Sequence, residues 1–135
     1  MKYDVIIIEK VEYELLKRIV SMAHYYKDST YRASIEKLKN ELELAKIVSE
    51  KNMPKDVVRF NSKVEIATPF SVNKTYQIVT PDQSNIKENK VSILAPMGLA
   101  LFGYAEGDEV EWEFPTGKNS IKIIGVEQIP KEIKI

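Results

Sequence analysis

The chain has 135 residues, 44% of them hydrophobic and 30% charged, and its 20 Lys and Arg are balanced by 20 Asp and Glu. This size and balance fit one or two globular domains. Zero formal net charge lacks the uniform basic field that nonspecific phosphate binding needs, which argues against a simple DNA- or RNA-coating role and leaves room for a local basic patch; no direct sequence-specific nucleic-acid binding is expected. Cysteine is absent, so disulfides, thiol chemistry and cysteine zinc sites are excluded, and the single His24 provides no histidine cluster for a metal.

The opening segment, Lys2 to Ile8, reads either as a short strand or as the start of a helix, and its β-branched run favours the strand. Val5 to Ile8 is far shorter than the roughly 20 apolar residues of a membrane span. Glu9 and Lys10 follow at once, which is unlike a secretory signal, so the cytoplasm is the expected location. Val11, Leu15, Ile19 and Ala23 then recur every four residues, widened by Leu16, Val20 and Met22, and predict a first helix. Lys27-Asp28-Ser29-Thr30 is turn-like, with Asp28 or Ser29 suited to cap a second helix. Ile35, Leu38, Leu42 and Ala45 keep the three-four spacing of a coiled-coil seam. Residues 1–52 are thus expected to form an antiparallel helical hairpin, a short coiled coil. Pro54 disfavours helix at Met53 and places the end of the second helix near Lys51. That makes the helix about 22 residues and the arm about 33 Å.

Beyond Met53 the period changes to two. Val58, Phe60, Ser62, Val64 and Ile66 alternate as in a strand, and 75–80, 91–94, 108–114 and 120–129 are further strands separated by turn residues. Pro96 to Gly103 reads as one short helix, with proline in its first turn and glycine past its end. Residues 53–135 are therefore expected to form a bent antiparallel sheet carrying one helix, and the fold class is α+β.

Two stretches carry a family resemblance. Val91-Ser92-Ile93-Leu94-Ala95-Pro96-Met97-Gly98-Leu99-Ala100-Leu101-Phe102-Gly103, followed by Gly107-Asp108-Glu109-Val110 and Pro115-Thr116-Gly117, resembles the C-terminal domain of the Gre transcription factors, which is FKBP-like. Met53-Pro54-Lys55-Asp56-Val57-Val58-Arg59-Phe60-Asn61-Ser62, Ala95 before Pro96, and the seam from Leu38 to Ala45 resemble the Rnk branch of that superfamily more closely.

The resemblance implies a bacterial transcription regulator whose partner is RNA polymerase, held at the coiled coil on the rim of its secondary channel. The polymerase-binding positions it implies are Asn85, Ser92, Ala95, Pro96, Met97 and Gly98. Asn85 stands where cleavage factors often carry Asp, which removes a charge from that contact. Gre cleavage factors hold magnesium with an acidic tip on a long arm, because a hard cation needs oxygen ligands. Here the tip motif is absent and the tip, Tyr26, Asp28 and Tyr31, has one carboxylate, read as a helix cap and not as a metal ligand. The expectation is docking without transcript cleavage, with no enzyme activity, cofactor, metal or membrane, in a monomer. The alternatives are a cleavage factor with a divergent tip, or an FKBP-like prolyl isomerase or chaperone. His24 is read as packed or solvated, the tyrosines near the turn as packing over its end, and Trp112 with Phe114 as a core pair. No glycine-rich phosphate loop suggests phosphoryl transfer.

Overall fold

A computed structural model of the chain describes residues 2–22, 29–68, 71–114 and 117–129. The extended reading of the opening segment holds for its last residues, since β1 spans Ile7–Glu9. Ile6 and Ile8 enter the main core, while Ile7 points the other way into a smaller cluster with Met53, Val57 and Ala105. Alternation of side chains across a strand produces this split. The three isoleucines are 1%, 5% and 1% exposed, and each burial stabilises by about 1.5–3 kcal/mol.

Helix α1, Lys10–Ser21, begins where the Glu9 side chain accepts hydrogen bonds from the backbone N–H groups of Val11 and Glu12, both at 3.0 Å. That cap satisfies two of the donors a helix start leaves open. Its buried face is Glu12, Leu16 and Val20, one step round from the expected stripe: Leu15 and Ile19 are half-buried and Val11 is exposed. The apolar pattern fitted both phases, and the cap together with the pairing of Glu12 to Arg59 selects the one observed.

Helix α2, Ser29–Leu44, buries Ile35, Leu38 and Leu42 in the same cluster as Leu16 and Val20. It holds 16 residues, about 24 Å, and stops well before Lys51. Lys46 to Val48 leave the helix to form β2, parallel to β1 in the register Ile7↔Lys46, Ile8↔Ile47 and Glu9↔Val48. Pro54 bars helix only at its immediate neighbour. Strand pairing, which gives the β-branched Ile47 and Val48 a better backbone state, ends the helix earlier.

The main sheet comprises β3 (Lys63–Thr68), β4 (Ser71–Val79), β5 (Lys90–Ser92), β6 (Glu109–Phe114) and β7 (Gly117–Glu127), in the order β5-β4-β3-β7-β6. It is mixed, not antiparallel as expected, because β5 runs parallel to β4. A parallel neighbour requires the chain to be carried back first. Two 3-10 turns, Pro81–Gln83 and Ile86–Glu88, do this. The expected strand from Val58 to Ile66 is also shorter than its alternation suggested. All five alternating residues are buried, yet Asn61 takes φ 71° and the Arg59 N–H donates to Ser62 Oγ at 2.8 Å, forming a turn before β3.

Helix α3, Pro96–Leu101, lies on the sheet with Leu99, Ala100 and Leu101 buried, and Phe102 meets Phe60 at 4.9 Å between ring centroids. Gly103 follows at φ +85°. Its carbonyl accepts from the Ile7 N–H at 3.3 Å and its own N–H donates to Val58 at 3.1 Å. A Cβ there would sit 2.8 Å from the Ile6 Cβ. Both the backbone conformation and the space therefore demand glycine.

Polar contacts add to this junction. Arg59 Nε donates to Glu12 Oε1 at 2.8 Å, and its two terminal nitrogens donate to Glu50 at 2.7 Å each. The hydrogen bonds to Glu50 and Glu12 outweigh burial and raise the guanidinium further above its ordinary range. Tyr104 donates its hydroxyl to Glu41 of α2, with Lys37 Nζ 3.5 Å away. Burial first, then the hydrogen bond to Glu41, pushes that hydroxyl well above the ordinary tyrosine range. Lys2 and Tyr3 both donate to Asp56. Burial would raise the Asp56 carboxyl, but these two donors hold it below the usual carboxylate range.

Two substitutions probe the stability of this junction. Gly103→Ala should cost about 1–3 kcal/mol, read as a lower midpoint in urea denaturation. Arg59→Leu should cost about 3–5 kcal/mol by removing the cation beside buried Glu12, and adding Glu12→Gln should recover part of that loss.

Candidate functional site

The six positions expected to meet a partner lie on one run of chain, from the second 3-10 turn through the edge strand β5 to the start of α3. Asn85 opens the turn: its side-chain oxygen accepts from the Lys87 N–H at 3.1 Å, and its backbone exchanges two 2.9 Å hydrogen bonds with Lys90. Asn89 closes the turn in the left-handed conformation at φ 57°, which asparagine tolerates better than most residues. The Asn89 carbonyl accepts from the Gln77 N–H at 2.9 Å and ties the turn to β4. Lys90 also pairs with Glu88 at 3.1 Å.

Ser92 is half-buried, and its hydroxyl accepts from the Leu94 N–H at 3.0 Å while its carbonyl accepts from the Ala95 N–H at 2.9 Å. Together they turn the chain from β5 into α3. Ala95 occupies the N-cap with no side-chain cap, and Met97 is half-buried against the main core. Pro96 stands at the first helical position, where its missing N–H costs nothing, and its side chain lies outside the described residues.

Gly98 differs from the rest. It is buried, and a Cβ there would lie 2.3 Å from the Ser92 carbonyl oxygen and 2.9 Å from the Ile93 Cα. It sets how closely α3 can approach β5, and so positions the surface from beneath.

Sequence reasoning missed Ile86, which is 90% exposed at the head of the turn. A lone apolar residue inside Ser84-Asn85-Ile86-Lys87-Glu88-Asn89 was the available signal. Of the tip residues, Tyr26 and Asp28 lie outside the described residues, as does His24, and Tyr31 falls within α2 with its side chain outside them. Trp112 and Phe114 lie in β6, their side chains likewise outside. Among the described residues no group of three or more His, Asp or Glu could hold a metal ion, and no helix is long and apolar enough to cross a membrane.

The family model described as transcription elongation factor, GreA/GreB, C-term matches residues 53–128, which includes the whole of this run. The chain belongs to the GreA/GreB family. It is 32% identical over 126 residues to transcription elongation factor GreA of Syntrophus aciditrophicus, covering 93% of this chain and 73% of that protein. It is 35% identical over 95 residues to GreA of Desulfovibrio desulfuricans, covering 70% of this chain and only 59% of the relative. Among solved structures, a GreA/GreB factor from Nitrosomonas europaea superposes with a TM-score of 0.72 at 30% identity, covering 91% of this chain and 98% of that one. Gfh1 of Thermus aquaticus superposes at 0.50 with 25% identity over 91% and 98%.

These relatives overturn the expected kinship to the Rnk branch, since those named are GreA proteins and Gfh1. The features that suggested Rnk were two short segments and one alanine, whereas the GreA likeness is spread over most of the chain. The relatives are transcription factors, in keeping with the expectation that this GreA/GreB member is no enzyme. Gly98→Ala should force α3 away from β5 and lower the melting temperature by several degrees, equivalent to about 1–3 kcal/mol.

Proposed function

We propose that this chain docks on RNA polymerase at the rim of the secondary channel, presents its two helices toward the channel, and does not stimulate transcript cleavage. The observation that carries the docking half is the family match over residues 53–128, spanning the turn, β5 and the start of α3. In this reading Asn85, Ser92, Ala95, Pro96 and Met97 supply the surface and Gly98 holds it in place. The protein acts in the cytoplasm, as a monomer, with residues 1–52 as the helical part and 53–135 as the docking part.

Reach supports the noncatalytic half. Helix α2 is about 24 Å long. Much of that length is held against the docking part, by Leu38 and Leu42 in the core and by Lys37 and Glu41 at Tyr104. Little arm is left to carry a metal, and the turn sequence offers the single carboxylate Asp28. An isomerase reading rested on fold likeness alone and has no support in the named relatives.

The test is a backtracked elongation complex of the cognate polymerase, scored for displacement of a labelled GreA and for cleaved RNA. Displacement with cleavage at the factor-free rate is the expected outcome. Stimulated cleavage would instead support the divergent cleavage factor, and the absence of both signals would overturn the docking reading.

A further inference from the structure

The turn that carries Ile86 is built more firmly than its exposure warrants. Residues 81–89 are all exposed, and the turn buries no side chain of its own. Yet Asn85 caps it, Asn85 and Lys90 bridge its base with two hydrogen bonds, Asn89 closes it in the left-handed region, and Gln77 anchors it to β4. This framework presents one isoleucine, 90% exposed and the most exposed large apolar residue among those described. A β-branched side chain has few rotamers to lose, and a pinned backbone has little left to order, so the usual entropic cost of binding is already reduced.

Resting on the docking reading, we propose that Ile86 is the apolar anchor of that contact, entering a hole between side chains of the coiled coil at the polymerase rim. A single projecting branched side chain matches the four-residue hole that a helical surface offers a knob. The chain order supports this occupant, because Asn85 immediately precedes Ile86, Ser92 follows on the edge strand β5, and Ala95 caps the helix that comes next. The polar neighbours Asn85, Lys87 and Glu88 would form the rim that excludes water around such an anchor.

The test measures binding of the labelled full chain to purified cognate core polymerase. Ile86→Ala should weaken binding by about tenfold or more, while Ile86→Leu stays within about threefold. Ile124→Ala, which trims another exposed isoleucine on β7, should bind as the unaltered chain does. All three should keep the parent melting temperature. Unchanged binding by Ile86→Ala, an equal loss in Ile124→Ala, or a lowered melting temperature for Ile86→Ala would each overturn the anchor while leaving docking in place. No binding by the unaltered chain would overturn the docking reading, and the anchor with it.

Discussion

The structure turns on the place where Ile6 meets Gly103. A glycine with positive φ lets the first strand lie against the turn after α3, close enough for the Ile7 N–H to reach the Gly103 carbonyl. Ile6 and Ile8 then fill the core beneath Phe60 and Phe102, and Ile7 closes a second cluster on the other side. Hydrophobic burial supplies most of the attraction, and the absent Cβ is the steric condition for it. The ion pairs of Arg59 and the Tyr104 hydroxyl act on elements that this contact has already brought together.

Those polar contacts fix direction more than they add stability. Apolar contact alone tolerates sliding, whereas Arg59 meets Glu50 with two parallel hydrogen bonds and Glu12 with a third. Planar two-point pairing of this kind constrains orientation. Removing two charges from water offsets much of the attraction between them. The set Glu12, Arg59 and Glu50 therefore defines which face of α1 turns inward, a matter the apolar pattern left open between two phases.

Most elements were legible in the sequence because their signals are local. The alternation in β6 and β7, the proline and glycine bracketing α3, and the seam of α2 each lie within about ten residues. The features that were missed depend on partners distant in the chain. The early end of α2 comes from β2 pairing with β1, nearly 40 positions upstream, and the phase of α1 comes from Arg59, 47 positions downstream of Glu12. The parallel placement of β5 likewise needed two 3-10 turns whose polar residues read only as loop. The candidate positions Asn85, Ser92, Ala95, Pro96, Met97 and Gly98 come from resemblance alone, and exposure, which resemblance does not give, separates buried Gly98 from Ile86 beside Asn85, which stands outermost.

The parallel pairing of β1 with β2 places the two ends of the helical segment side by side, while Leu16, Val20, Ile35, Leu38 and Leu42 keep both helices packed on the body. A segment closed in this way can change length with little effect on its base, because the cost of a closed loop rises only slowly with its size. Residues can therefore be inserted or removed between Val20 and Ile35, beyond the packed turns of the two helices, while the core below stays as it is. The two-stranded clasp makes the length of the helical segment a separately adjustable property.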